Sequence, residues 1–479
     1  MSSLLVEICR IEKIEPHPYA DRLAIAFVKG WQTAIRKFPD GNTEFNVNDL
    51  VVYFPPDSVL SQKLAHGISD NPPGRLGIVN FLGLLDKNED GTRPPGYKVK
   101  AARLRGIQSF GFIMPIDPSK GDLSTWQEGD DVKEFFGVTK YEPPERTDEG
   151  DEDRPNYLFR RYTEIEHFAN FPNLFVDGEE IIITEKLHGS CTRIGLVIEK
   201  DENGDPSWRM MVGSHDMPRK IQTRTMKRVN RNALAEKLIL KEDEIVPGLL
   251  FKDENSKFWI VEKIDIKTYV IEAETITKFK AVCFQVEPKN TELDFKGSII
   301  NNANIDDWNI IYLPSKYWTG VNSKTEEMLE FIKDEIYWKD QKTSIVIFGE
   351  TYGSGVQDMS YGLKQGEKAF RIFDIAINHK YLDYEIKAVI CAKFEQEMVP
   401  VLYRGPFSQD IVFEMTSGPT VLCEEKDVVT KFKGREGIVI TPVMERLSGI
   451  MMPTSTEGRV VLKSVSADYL SRNGGTESH

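Results

Sequence analysis

The sequence predicts an α+β protein: a small N-terminal β-barrel followed by a larger domain of antiparallel sheets with flanking helices. Three observations predict it. Short apolar strands broken by Pro and Gly fill residues 1–140. A stretch of acids and prolines then interrupts the pattern. Beyond it, apolar strands ending in charged residues are mixed with two segments of helical spacing.

In chain order, Val6, Ile8 and Ile11 begin a strand that stops at Pro16 and Pro18. Ile25, Phe27 and Val28 make a second, Leu50–Phe54 before Pro55 and Pro56 a third, and Ser109–Met114 closes the set before Pro115. The run Glu15-Pro-His-Pro-Tyr-Ala-Asp-Arg-Leu23, with Asp49–Tyr53 and Gly106–Phe112, resembles OB-fold tRNA-binding modules. A barrel of that kind binds nucleic acid on one sheet face, and Lys98, Lys100, Arg103 and Arg105 would supply its cations. A barrel that only packs on its neighbour is the alternative.

Residues 142–155 hold seven acids, three prolines and no apolar side chain. They are expected as a solvated linker between residues 1–140 and a domain spanning 156–479. In that domain Glu180–Thr184 and Arg193–Ile198 are expected as strands, and Glu326–Lys333 and Tyr381–Met398 as helices. Residues from about 232 to 340 carry no motif and are expected as a β-rich insertion.

The chain has 479 residues, 40% hydrophobic and 28% charged, which is globular composition. It has no run of about 18 apolar residues that would span a bilayer. Glu7 interrupts any apolar signal core, so an intracellular protein, cytoplasmic or nuclear, is expected. Five scattered cysteines offer neither a disulfide framework nor a zinc site. A net charge of −14 excludes a uniformly basic nucleic-acid coat. One cluster stands out: Arg219 to Arg231 has six cations and no acid, a pattern suited to duplex phosphates or to a solvated helix face.

Four short signals follow one another in the larger domain. They are Thr184-Glu185-Lys186-Leu187-His188-Gly189, Ile347-Phe348-Gly349-Glu350, Phe370-Arg371-Ile372-Phe373-Asp374, and Arg435-Glu436-Gly437 followed by Val460-Val461-Leu462-Lys463. Each alone fits a solvated charge or a core aromatic. Together they place a lysine, two carboxylates, an aromatic face and a second lysine at strand ends, where one cleft can gather them. That set suits nucleotidyl transfer. A lysine amine attacks an α-phosphate only when neutral, and an unperturbed lysine titrates near 10.4. A second cation beside it, Lys463 or a metal, disfavours the ammonium. Bringing the amine near neutrality takes about 4 kcal/mol of differential interaction. A hard divalent cation on Glu436 would also offset phosphate charge.

The ordered series resembles motifs I, III, IIIa, IV and V of the covalent nucleotidyltransferases, whose catalytic domain is ATP-grasp-like. Among these DNA ligases, RNA ligases and mRNA capping enzymes, it is most similar to ATP-dependent RNA ligases of the bacteriophage and RNA-editing type. Glu185, His188 and the Gly353-to-Gln357 stretch carry that likeness, and an OB-like domain placed first resembles a distinct RNA ligase branch. The resemblance implies that Lys186 becomes linked to AMP and that Glu185 and Leu187 meet the adenine edge. It implies that Glu350 holds the ribose, Phe373 stacks on adenine, Glu436 binds Mg²⁺ or Mn²⁺, and Lys463 contacts the α-phosphate. Gln357 and Asp374 are expected near the nick, with His188, His215 and Arg219 toward nucleic acid. The chain departs from the family pattern in three places. Motif V keeps one lysine, Cys191 stands where Arg or Asn is common (so Arg193 would take over that contact to the nucleotide), and His215 follows Ser214 in place of a basic residue. The expected activity is sealing of RNA 5′-phosphate and 3′-hydroxyl ends, in nicked duplexes, broken strands or RNA/DNA hybrids, by a monomer without membrane contact. A DNA ligase, a capping-type enzyme and an inactive RNA-binding relative are the alternatives.

Overall fold

Two-residue periodicity builds the N-terminal barrel. In the strand Leu50–Phe54, Val52 and Phe54 face one apolar cluster with Val6, Ile8 and Leu60, while Val51 and Tyr53 face another with Ile11, Ala26 and Ile35. Each fully buried side chain of this size contributes about 1.5–3 kcal/mol. The strand is flanked on both sides, by Glu7–Arg10 and by Phe112–Pro115. Lys13–Pro16, Leu23–Val28 and Trp31–Arg36 form an antiparallel meander beside it. The segments expected as single strands at residues 6–16 and 109–114 are thus each two. Gly111 marks the second break, with φ +69° and a position where a Cβ would lie 2.1 Å from the Phe54 carbonyl oxygen.

This computed structural model describes residues 3–69, 82–87, 92–116, 125–141, 152–201, 203–224, 226–230, 236, 240–271, 274–289, 299–300, 308–423, 434–449 and 458–472. The chain divides into two units. One comprises Met1–Glu145, Asn156–Met210 and Gly320–His479; the other comprises Arg146–Pro155 and Met211–Thr319.

Within the first unit, the larger domain rests on two antiparallel sheets. One runs in the order Glu166–His167, Leu462–Val465, Gly437–Pro442, Glu180–Lys186, Val401–Pro406, with only the first pair parallel. Its core is Phe168, Ile181, Ile183, Ile438, Ile440 and Leu462. In the other, Ser190–Lys200, Ser344–Gly353, Lys368–Ile377 and Lys380–Tyr381 are neighbours in that order. The helix Ser323–Asp334 is capped by Asn322, whose side chain accepts from the Thr325 N–H, and buries Met328, Leu329 and Ile332. The second expected helix is shorter than its periodicity, Tyr384–Lys393. Tyr381 is held in a strand with Ala376, and Glu395 turns left-handed at φ +52°.

The second unit is a sheet in its own right. The long hairpin Phe258–Ile271 and Glu274–Pro288 is flanked by Met226–Asn230 and Leu250–Lys252. Residues on both faces are buried: Phe251, Trp259, Val261 and Cys283 in one cluster, Leu250, Ile260, Phe284 and Trp308 in the other. The basic run forms the strands Gln222–Arg224 and Met226–Asn230, with no helix among its described residues. Of the acidic linker, residues 142–151 lie outside the described residues. Its end does not run free in solvent: Glu152 forms a backbone bridge with Arg219, and the Asp153 N–H donates to the Pro218 carbonyl. Polar side chains do not stop a backbone from pairing when a strand edge lies beside it.

Candidate active site

Lys186 is the last residue of its strand, paired with Gly437. Leu187, His188 and Gly189 then turn the chain into Ser190–Lys200 of the other sheet, so the lysine sits where the two sheets meet. The turn needs glycine. A Cβ at Gly189 would lie 2.3 Å from the Thr351 carbonyl oxygen and 2.9 Å from Glu350 Cγ. Glu350 stands on the neighbouring strand, opposite Cys191 and Arg371. Val439 pairs with Thr184 on one side and Lys463 on the other. Since strand residues two apart share a face, Lys463 stands on the face that carries Lys186.

Lys186 Nζ donates to Glu436 Oε1 at 2.5 Å. The lysine side chain keeps 26% of its exposure and the glutamate 4%. Burial alone would raise the Glu436 carboxyl; the charges of Lys186 and His188 instead hold it at about 2. Its Oε2 is buried, 3.6 Å from His188 Nδ1, with no hydrogen-bond partner among the described residues. The Tyr361 hydroxyl accepts from the His188 N–H at 2.6 Å. Burial pushes that phenol well above its ordinary value, with the charges of Glu436, Glu185 and Glu350 pushing the same way.

Glu185 is buried, and its Oε2 accepts from the Val421 N–H at 3.0 Å, while Oε1 has no hydrogen-bond partner among the described residues. Burial holds its carboxyl above the usual range. Leu187 packs with Tyr352, Tyr361, Val465 and Tyr469, and half-buried Phe373 adjoins that cluster, edge-on to Tyr162 at 4.9 Å.

Other expected site residues lie elsewhere. Asp374, expected near the nick, is buried in the interior between Lys387, Arg459 and Tyr162, where no polynucleotide can touch it. Arg193, expected at the nucleotide, donates to the Phe159 carbonyl at 2.7 Å and lies over the Phe159 ring; a buried guanidinium has to be taken up by carbonyl and ring. His188 is buried among Asp358, Tyr469 and Glu436 instead of facing outward. Gln357 is half-buried in the loop after Gly353. His215 and Arg219 belong to the second unit. His215 is half-exposed beside Asp216, whereas Arg219 is buried over Tyr317 and its carbonyl accepts from the Trp318 indole. Tyr361, Tyr469 and Arg472, which reach the His188 ring and turn, were not legible from any local pattern.

Two sheets, joined by the turn that follows Lys186, thus come after the N-terminal barrel in the chain. Residues 308–465 match the RNA ligase family model, and residues 5–116 match an OB-fold domain model. Residues that match an RNA ligase domain thus follow residues that match an OB-fold domain. No curated protein matches it by sequence. Among solved structures, it is similar to Naegleria gruberi RNA ligase with PPi, at 19% identity over 98% of each chain and a TM-score of 0.53. It is also similar to two variants of that enzyme, one with AMP and Mn (19% identity, 98% of this chain and 99% of the other, TM-score 0.54) and one with ATP and Mn (19%, 97% and 98%, TM-score 0.54). These likenesses establish the fold. No described helix is long and apolar enough to cross a membrane.

Proposed function

We propose that the protein is an ATP-dependent RNA ligase working through a lysyl-AMP intermediate. The observation that carries the proposal is the half-exposed Lys186 amine on buried Glu436 at the junction of the sheets. Lys186 Nζ bonds to the α-phosphorus of ATP while the bond to pyrophosphate breaks. A 5′-phosphate oxygen of RNA then takes the AMP as the phosphorus–nitrogen bond breaks. A 3′-hydroxyl attacks that phosphate and AMP leaves. Glu350 would accept from the ribose, Phe373 would face the purine, and Lys463 would meet the α-phosphate. Positioning and charge dominate such transfers.

Among the described residues no three His, Cys, Asp or Glu groups converge as a metal cage. Glu436 Oε2, which has no hydrogen-bond partner among the described residues, fits a hard cation that keeps water and substrate phosphate as its other ligands. When bound there, Mg²⁺ or Mn²⁺ supplies positive charge that offsets the phosphates and competes with the Lys186 ammonium for Glu436. The substrates would be nicked duplexes, broken strands or hybrid ends, and the protein a monomer; five cysteine thiols suit a cytoplasmic or nuclear setting.

Incubation with α-labelled ATP and Mn²⁺ should give a labelled protein that Lys186→Ala does not form. An adduct on the alanine variant refutes the assignment. Preferential labelling by GTP would favour a capping-type enzyme instead, and sealing of all-DNA nicks as fast as RNA would favour a DNA ligase.

A further inference from the structure

The short helix Ala467–Leu470 and the turn after it are not part of any motif, yet they enclose His188. The Tyr469 hydroxyl is 3.0 Å from His188 Nδ1, and the rings meet edge-on at 5.4 Å. On the other side of the imidazole, Nε2 is 2.8 Å from Asp358 Oδ1. Arg472 covers this pair: Nη1 is 3.1 Å from Asp358 Oδ2 and Nη2 is 3.2 Å from His188 Nε2. The Arg472 guanidinium lies over the Tyr469 ring at 4.2 Å. His188 in turn stands 3.6 Å from Glu436, which holds Lys186. The same helix is fixed from the OB domain, where Gln108 Nε2 donates to Asp468 Oδ1 at 2.7 Å and to the Ser471 hydroxyl at 3.1 Å.

We infer that Tyr469 and Arg472 are positioning residues for adenylation: they lock the His188 imidazole, and through it the Glu436 carboxylate against which Lys186 is aimed. The inference rests on the function proposed above. Both side chains act on His188, which stands one step behind the carboxylate that holds Lys186. Arg472 suits the task because a planar guanidinium spans a carboxylate and a neighbouring ring at once, a geometry that lysine cannot reproduce. The arrangement also places an OB-domain hydrogen bond one helix away from the nucleophile's turn.

The test is single-turnover lysyl-AMP formation in the full chain with ATP and Mn²⁺. Arg472→Ala should slow the step at saturating ATP by about 10- to 100-fold, the size found when partners that orient a reactive ligand are removed. Tyr469→Phe, which keeps the ring and its packing, should slow it by roughly threefold to tenfold. The ATP concentration for half-maximal rate should stay within about twofold, because neither residue touches the nucleotide. Arg472→Lys should recover only part of the loss. Melting temperature separates positioning from folding: rates that fall in step with stability in both variants overturn the inference, as do rates within about twofold of wild type. If the wild-type chain forms no adduct, the proposed ligase activity fails, a result distinct from a labelling wild type with unaffected variants.

Discussion

Replacing Asp374 by asparagine should destabilise the first unit by about 3–5 kcal/mol without touching any substrate. The carboxylate side chain is 1% exposed, and it faces Lys387 Nζ at 2.8 Å, Arg459 Nη2 at 2.7 Å and the Tyr162 hydroxyl at 2.8 Å. At an effective dielectric of about 20, each close charge pair is worth roughly 6 kcal/mol before desolvation, which consumes most of it. Arg459 keeps a second carboxylate, since Glu445 Oε2 accepts from its Nε at 2.8 Å. Lys387, with a side chain only 4% exposed, pairs with no other carboxylate among the described residues once Asp374 is neutral, so the penalty falls on that ammonium. Stranding one buried charge costs about 3–5 kcal/mol. At roughly 2–4 °C per kcal/mol, the melting temperature should fall by about 6–20 °C. Burial would raise the Asp374 carboxyl, but Arg459 and Lys387 hold it below the usual range. Its stabilisation is therefore complete above the ordinary aspartate value and lost as pH falls below about 4. The assay is thermal unfolding of wild type, Asp374→Asn, and Asp374→Asn with Lys387→Met. The double variant removes the stranded cation and should regain most of the loss. A single variant within about 1 kcal/mol of wild type, or a double variant no better than the single, refutes the reasoning.

Gly189→Ala should disrupt adduct formation and cost about 1–3 kcal/mol, since its Cβ would meet the Thr351 carbonyl oxygen at 2.3 Å; labelling and melting at wild-type values would contradict the close approach. Cys9, Cys283 and Cys391 are buried and their thiols are pushed up to about 12, whereas Cys191 and Cys423 are partly exposed. Iodoacetamide at pH 8 should therefore modify at most the last two in the native protein, and mass spectrometry of the peptides would reveal any other pattern. Burial, with Arg160 adding to it, pushes His379 down to about 4. The unfolded chain then binds this proton first, so stability should decline as pH falls from about 6.5 toward 4, and His379→Gln should flatten that slope in melting curves.

The strands were legible because alternation and apolar runs are local: Val51 to Phe54 sort into two clusters by parity alone. Lys186, Glu350 and Glu436 stand out in the sequence because their motifs sit at the ends of such strands in a fixed order. What escaped the sequence depends on partners far along the chain. Tyr162 and Arg459 are separated by 297 positions and His188 and Tyr469 by 281, and no window joins them. The second unit escaped for another reason: a sheet buried on both faces has no polar face to reveal its period.

The hardest distinction was between two lysines that each form an ion pair on the same domain. Lys186 and Lys387 both hold a buried carboxylate at hydrogen-bond distance, and a list of contacts does not separate them. Exposure does. Lys186 keeps 26% of its side-chain surface, so a substrate can approach the amine from solvent and its carboxylate can change partner. Lys387 keeps 4%, facing an aspartate with 1%, so exchanging its partner would mean leaving a charge unpaired in the interior. The family resemblance implies a place near the nick for Asp374, and nothing in its local sequence tells a buried carboxylate from an accessible one. Only the positions of Arg459, on an isolated bridge with Leu447, and of Lys387, on the helix Tyr384–Lys393, mark the Asp374 pair as scaffold.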